Sequence, residues 1–286
     1  MEKTINELLG YIREGREKDS IEMSGLFSDW YQRTSELGKE HTDGKHYCLV
    51  CDGILRKSGK SKNDDIALDK AWKTAQKRIV FMIKDQNQNG QIWADDTRDW
   101  YVDREDNRNL HSRFIRNIAN IIWGLMMAES APERNLPAEL IYKSKAEIQE
   151  CFFRAPVALV ESKKQGGSAS ISNNKLQQYL KDYKDLLYRE FNYLTPDGLD
   201  GVTVYVCTNE HIYWFVNDYL LWRYPGTELT RIDPEKHNSI RLHIPSKTIV
   251  LCSYHPSARK SYGEIYKGVM DHYHAFLHSE YYDFFK

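Results

Sequence analysis

Four short runs of apolar residues, each followed at once by polar or turn-forming residues, dominate the hydrophobic pattern of the chain. They span 79–83, 152–160, 202–207 and 248–252. Apolar runs of this length, rich in β-branched residues, are typical of strands that are buried on both faces of a sheet. The pattern therefore predicts a mostly parallel, four-stranded central sheet. A further run at 240–244 predicts an extra edge strand.

Segments with helical spacing of apolar residues separate these strands. They cover 110–127, 173–191 and 211–221, and a last one follows the final strand at 262–273. Alternating strands and helices imply a parallel sheet that is covered on both faces, so we expect an α/β protein built as a three-layer α/β/α sandwich. Two helices at 3–18 and 21–37 precede the sheet. We therefore divide the chain into an N-terminal helical extension and loop, 1–66, packed on an α/β domain, 67–286.

Composition narrows the class of protein. The chain has 286 residues, of which 41% are hydrophobic, and a formal net charge of −1. A dedicated DNA-binding protein is usually more basic, so any nucleic-acid site must be a local basic patch. No apolar run is long enough to cross a membrane, and the first residues are polar. We expect a monomer in the cytoplasm without a membrane partner.

Cysteine usage gives no sign of a metal site. Cys48 and Cys51 form one C-x2-C pair, which is half of a zinc or iron–sulfur motif. The other three cysteines stand alone in apolar, strand-like contexts, where they are expected as small core residues. An odd, scattered set of this kind fits reduced thiols. We therefore expect neither a metal nor another cofactor.

Chemistry-bearing residues cluster where the predicted strands end. The first strand runs into Asp85-Gln-Asn87-Gln-Asn-Gly, and the second into a Gly, Ser and Lys-rich loop at 162–170. The third ends in Thr208-Asn209, and the fourth in Tyr254-His255-Pro256. Ligands of open α/β sheets bind beyond the carboxyl ends of the strands. Pro256 ends the last strand, which leaves the ring of His255 just beyond that edge.

The segment His255-Pro-Ser257-Ala-Arg259 after a buried strand resembles the histidine motif of the uracil-DNA glycosylase superfamily. The resemblance covers roughly 77–277 and implies a uracil-DNA glycosylase-like fold. It also implies that His255 faces a flipped-out base and that the loop after the first strand carries the catalytic Asp or Asn. That residue is Asn87, or Asp85 if the match slides by two. The usual Gly and Pro of that loop are absent here, so both registers stay open.

The same resemblance suggests residues that contact the base and the DNA backbone. Trp93 is placed to stack on a base, while Glu161, where the family tends to have an Asn, and Asn209 are placed to read its edge. The candidates for DNA-phosphate binding come from the glycine-rich loop and from the histidine turn. They are Lys163, Lys164, Gly166, Gly167, Ser168, Ser257 and Arg259.

These residues fit hydrolysis of an N-glycosidic bond. Negative charge grows on the departing base, where a hydrogen bond from His255 stabilises it. An amide or carboxylate beside the sugar, from Asn87 or Asp85, holds the attacking water. The sequence thus predicts a DNA glycosylase for a damaged or deaminated base such as uracil. Two alternatives remain: a non-catalytic nucleic-acid-recognition module on the same fold, and a small-molecule or nucleotide hydrolase.

Overall fold

The computed structural model describes residues 18–37, 50–55, 70–84, 95–99, 105–129, 145–164 and 171–286. Helices and strands alternate along most of these ranges. The helices are α1 (Lys18–Leu37), α2 (Glu105–Arg108), α3 (Arg113–Met127), α4 (Lys145–Arg154), α5 (Asn173–Asp182), α6 (Lys184–Leu194), α7 (Glu210–Arg223) and α8 (Tyr262–Leu277). The strands are β1 (Val50–Cys51), β2 (Gly53–Ile54), β3 (Lys77–Ile83), β4 (Asp95–Asp96), β5 (Val157–Glu161), β6 (Val202–Cys207), β7 (Ile240–His243) and β8 (Thr248–Cys252).

A six-stranded sheet forms the centre of the molecule, in the order β2-β5-β3-β6-β8-β7. The four inner strands, β5, β3, β6 and β8, are mutually parallel. Both edge strands are antiparallel to their neighbours, so the sheet as a whole is mixed. The inner strands are the four predicted from the apolar runs, and β7 is the predicted edge strand. The α/β class with a parallel sheet core is thereby confirmed.

Two hydrophobic clusters cover the two faces of this sheet. Alternate residues of β3 separate between them: Ile79 and Phe81 pack with α3, α4 and α8, whereas Val80 and Met82 pack with α1, α5, α6 and α7. Every residue of β3 is buried, because its side chains meet helices on both sides. This explains why residues 79–83 of the strand form a continuous apolar run instead of an alternating one.

Side-chain caps define where several helices begin. Ser261 accepts a hydrogen bond from the backbone N–H of Glu264, and the Glu264 side chain accepts one from the Ser261 N–H, which completes a capping box at the start of α8. Ser112, Ser172 and Asn209 cap α3, α5 and α7 through their side-chain oxygens. Each cap satisfies a backbone donor that the first helical turn leaves unpaired.

Two predicted boundaries were wrong. Residues 152–154 belong to α4, and β5 begins only after Pro156, because proline ends the helix and the strand then starts at Val157. The helix expected over 173–191 is two helices, α5 and α6, which meet at Tyr183. Apolar spacing continues across this break, so periodicity alone joins the two helices.

The N-terminal segment is tied to the main sheet. The short strand β2 pairs with β5, with Gly53 opposite Leu159. Trp30 of α1 donates a hydrogen bond to the hydroxyl of Tyr179 (2.6 Å), so α1 packs on the α5–α6 side of the sheet. The division at 66/67 stays a prediction, and the structure shows that residues before it complete one edge of the sheet. None of the helices among the described residues has the length and apolar character required to span a membrane.

Candidate functional site

The carboxyl ends of the four parallel strands lie side by side at one edge of the sheet. Backbone hydrogen bonds link them beyond the ladder: Ser162 N–H donates to the carbonyl of Ile83 (2.7 Å), and Ser253 N–H to that of Cys207 (2.8 Å). Thr208 is fixed twice to β3, because its N–H and its hydroxyl both donate to the carbonyl of Met82. This edge is therefore rigidly framed, and it carries every described residue that the sequence assigned to the site.

His255 lies in a turn immediately beyond β8, with its ring half-buried. Its Nδ1 accepts a hydrogen bond from the backbone N–H of Ser257 (3.2 Å). A neutral imidazole carries its proton on the nitrogen that is not an acceptor. The ring is thus held as the Nε2–H tautomer, which leaves Nε2–H as the hydrogen-bond donor of the turn. Ser257 contributes this backbone contact, and its own side chain is exposed.

The surroundings keep His255 uncharged. Burial, together with the positive charge of Lys84 at the end of β3, lowers the pKa of His255 from 6.5 to about 4. At pH 7 only about one ring in a thousand is then protonated. A neutral ring can donate one hydrogen bond through Nε2 without carrying a positive charge. Sequence analysis missed Lys84, which follows the β3 apolar run directly and therefore ends at the same edge as β8.

Helix α3 clamps the histidine turn from one side. The buried Asn117 side chain donates to the carbonyl of Pro256 (2.6 Å), and Arg113 donates to the carbonyls of Ala258 (2.9 Å) and Lys260. The ring of Phe114 lies 5.8 Å from that of His255. Asn117 is a polar residue within an apolar helical stripe, and this was the one signal in the sequence that marked it. Its role depends on a contact across 139 residues.

Cations and two aromatic rings, one of them exposed, surround the same turn. The guanidinium groups of Arg113 and Arg116 lie 5.4 and 5.6 Å from the ring centre of Tyr262. The ammonium of Lys260 lies 4.4 Å from the ring centre of Tyr254, a side chain that is 46% exposed. We call Arg113, Arg116, Tyr254, Arg259, Lys260 and Tyr262 the basic–aromatic patch. Glu264 is the acidic group beside it, 3.8 Å from the Lys260 ammonium.

The remaining predicted contacts lie along the same edge with differing exposure. Glu161 ends β5 and is 1% exposed. Lys163 is half-buried, and its N–H donates to the carbonyl of Lys84 (2.9 Å). The side-chain oxygen of Asn209 accepts from the N–H of His211 (2.9 Å), so it caps α7 and only the amide nitrogen is left to face a ligand. Arg259 is exposed beside the histidine turn.

Lys164 corrects the predicted phosphate-binding set. Its side chain is fully buried, and its ammonium donates to both oxygens of Asp52 (2.6 and 2.5 Å) and to Glu190 (3.0 Å). The ammonium also lies 5.1 Å from the ring centre of Trp30. It is therefore bonded to two interior carboxyl groups and has no face toward a DNA backbone. The N–H of Glu161 donates to Asp52 as well, so this buried cluster anchors the end of β5.

Several predicted residues lie outside the described ranges. They are Asp85, Asn87, Trp93, Gly166, Gly167 and Ser168. Among the residues that the structure does describe, no group of three or more His, Cys, Asp or Glu side chains could hold a metal ion.

Comparisons of the chain with family models, with curated proteins and with solved structures returned no match.

Proposed function

We propose that the chain excises a base from DNA, as a glycosylase that uses His255 at the carboxyl edge of its parallel sheet. The observation that carries the proposal is the state of His255: a neutral ring, fixed as the Nε2–H tautomer, in a turn held by Asn117. The glycosylase resemblance rests on the His255 motif, and the fold assignment to that superfamily is part of the proposal. Four parallel strands whose carboxyl ends share one edge support it.

The electrostatics of His255 suit a leaving base. When the N-glycosidic bond breaks, its electron pair stays with the base, and negative charge develops on a ring carbonyl oxygen. A fixed donor in a partly desolvated site stabilises such an oxygen without having to reorganise. Because the pKa of His255 is about 4, the ring stabilises the departing anion by donating a hydrogen bond, with no positive charge of its own. Water then adds to the sugar carbon, and its proton balances the charge on the released base.

The basic–aromatic patch supports DNA as the substrate. The whole chain is nearly neutral, yet Arg113, Arg116, Arg259 and Lys260 concentrate positive charge around the histidine turn. Lys and Arg side chains that lie along a DNA backbone bind its phosphates, and exposed aromatic rings stack on unpaired bases. Tyr254 is exposed directly next to His255, so it is placed to stack on a base or on a neighbour of the flipped nucleotide.

An excision assay tests the proposal. Purified protein is incubated with short single- and double-stranded DNAs that carry uracil, hypoxanthine, xanthine or a mismatched thymine, and alkali reveals abasic sites. We expect cleavage of at least one substrate and a loss of about 10²–10³-fold in His255→Ala, since removing one fixed donor to a developing anion costs that much. His278→Ala, at an exposed histidine outside the patch, is the matched control and should retain full activity.

Binding measurements separate catalysis from recognition. Arg259→Gln should weaken DNA binding for every sequence and reduce the salt slope of log K by roughly one. DNA binding without cleavage of any substrate would favour the recognition module. If the protein neither binds nor cleaves any of these DNAs, the resemblance to glycosylases would concern the fold alone. The glycosylase proposal would then be wrong.

A further inference from the structure

A cavity lies at the opposite edge of the sheet, where the parallel strands begin. It has a volume of about 290 Å³ and is lined by the first residues of β3, β6 and β8, by the end of α7 and by two turns. Small-molecule sites usually have volumes of roughly 300–1,000 Å³, so this one is of the size for a small ligand. Because it opens at the amino ends of the strands, it is separate from the His255 site.

The innermost group of the cavity is a buried guanidinium. Arg78 is 1% exposed, and its hydrogen-bond partners among the described residues are neutral oxygens. The shortest are the carbonyls of Asp200 (2.6 Å) and Ala75 (2.9 Å), which both accept from Nη2. Nη1 makes one long hydrogen bond, to the hydroxyl oxygen of Thr203 (3.4 Å). Burial lowers the pKa of Arg78, and the charge of the Asp200 carboxylate raises it by less. A buried guanidinium whose Nη1 makes only one long hydrogen bond still favours a further bound counter-ion.

Two further side chains with donor groups, those of Thr203 and Lys247, line the same cavity. The Thr203 hydroxyl accepts from Arg78, so its own proton is directed elsewhere. Lys247 donates to the backbone oxygen of Lys286 (2.8 Å), which uses one of three ammonium protons. Lys247 also has a φ of +47°, a conformation that non-glycine residues rarely adopt and that concentrates at functional sites.

The Ser246 and Thr248 hydroxyls of the wall are committed to a hydrogen-bonded chain that includes Thr227 and His243. Thr227 donates to the carbonyl of Tyr224 (2.6 Å), so its oxygen accepts from Nε2–H of His243 (2.9 Å). Nδ1 of His243 is then an acceptor, and Ser246 donates to it (2.6 Å). Thr248 in turn lies 2.8 Å from the Ser246 oxygen. This chain fixes the wall, whereas Arg78, Thr203 and Lys247 can each donate to a ligand.

The acidic group at the rim does not oppose an anion strongly. Asp197 accepts from Arg223 (2.6 Å) and from the Tyr224 hydroxyl (3.0 Å), and the Arg223 hydrogen bond lowers the pKa of this carboxyl. Its charge is therefore largely compensated by Arg223. Within the lining, Arg78, Arg223 and Lys247 outnumber this single carboxylate.

We propose that this cavity binds the phosphate group of a small molecule. A planar carboxylate prefers the paired N–H groups of a guanidinium edge, and in Arg78 the Nη2 and Nε groups are bonded to protein carbonyls. Arg78 on β3, Thr203 on β6 and Lys247 in the turn before β8 instead each offer a single donor. Separate single donors of this kind suit the oxygens of a tetrahedral group. The proposal is independent of base excision, because none of its residues belongs to the His255 edge.

Titration with inorganic phosphate at constant ionic strength, followed by calorimetry, tests this site. We expect saturable binding by the unaltered protein and at least about tenfold weaker binding by Thr203→Val and by Lys247→Gln, since each removes a hydrogen bond to a charged group. Lys267→Gln, at an exposed lysine of α8, is the control and should bind normally. Arg78→Gln is not used, because its carbonyl partners would be left unpaired in the interior.

Two outcomes would overturn the proposal. One is the absence of saturable phosphate binding by the unaltered protein. The other is binding that Arg259→Gln weakens and the cavity variants leave unchanged, which would place the phosphate at the histidine turn. Circular dichroism of each variant establishes that a loss of binding is not a loss of fold.

Discussion

Replacement of Lys164 by Met should destabilise the protein far more than replacement of an exposed lysine. The Lys164 ammonium is fully buried between Asp52 and Glu190, and no part of the three side chains reaches solvent. Methionine preserves much of the side-chain volume and removes the charge. The interior is then left with the two carboxyl groups and no cation.

The expected loss of unfolding free energy in Lys164→Met follows from the burial of this cluster. Breaking a buried ion pair by removing one partner costs about 3–5 kcal/mol, because the remaining charge is uncompensated. Removing Asp52 as well, in Asp52→Asn with Lys164→Met, should recover part of this loss, since the two sites share one interaction. Lys175→Met, at an exposed position of α5, should change stability by less than about 0.5 kcal/mol.

The cluster also predicts a pH dependence of stability. Burial, with the neighbouring Asp52 carboxylate, raises the pKa of Glu190 well above 4.5, and Lys164 opposes this only in part. The folded protein therefore keeps a proton on Glu190 that the unfolded chain releases. Stability from this group is complete below pH 4.5 and is lost as the pH rises toward the folded pKa, by about 1.4 kcal/mol per pH unit. Glu190→Gln should flatten this slope.

Urea unfolding, followed by tryptophan fluorescence and circular dichroism together, measures these changes. The free energies of unfolding of the four variants and the unaltered protein are compared at pH 5, 7 and 8. A cost below about 1 kcal/mol for Lys164→Met, or equal costs for Lys164→Met and Lys175→Met, would show that the cluster is not the buried, mutually dependent unit described here.

Three further predictions follow from single contacts. Lys84→Gln should raise the pKa of His255 above about 4, because it removes a nearby positive charge, and an NMR titration of the ring that shows no change would exclude this electrostatic coupling. Asn117→Ala should lower the excision kcat with little change in KM, because it loosens the turn that positions His255; a changed KM alone would argue for a binding role. Gly201→Ala should cost at least about 2 kcal/mol more than Gly198→Ala in urea unfolding, since both glycines have positive φ but only at Gly201 would a Cβ collide with backbone oxygens. Equal losses of unfolding free energy in the two variants would mean that the positive φ alone sets the cost of the substitution.

The strands were readable from the sequence because their burial is two-sided. β3, β6 and β8 are short apolar runs, and each was predicted within two residues of its observed bounds. β5 was placed too early because Phe152 is also apolar, although it packs from α4. The edge location of His255 followed from Pro256, whose local effect on a strand is independent of the rest of the fold.

The contacts of the site residues could not be predicted from the sequence, because the residues in contact lie far apart in the chain. Lys164 stands in a Gly, Ser and Lys-rich loop, which locally indicates a surface. The residues that bind it, Asp52 and Glu190, are 112 and 26 positions away. The Asn117 contact with Pro256 spans 139 positions. Hydrophobic pattern sets which elements form, whereas such pairings depend on how the sheet brings the elements together.

The base-excision proposal is tested most directly by the single-turnover rate of base release, measured by chromatography of the free base at saturating protein. Wild-type protein and His255→Ala are compared on the DNA that the substrate panel identifies, at equal occupancy of the DNA. The account predicts release by the wild type and a rate at least about 10² lower in the variant. Release at equal rates by both would contradict the role of His255, and no release by either would remove base excision as the function of this site.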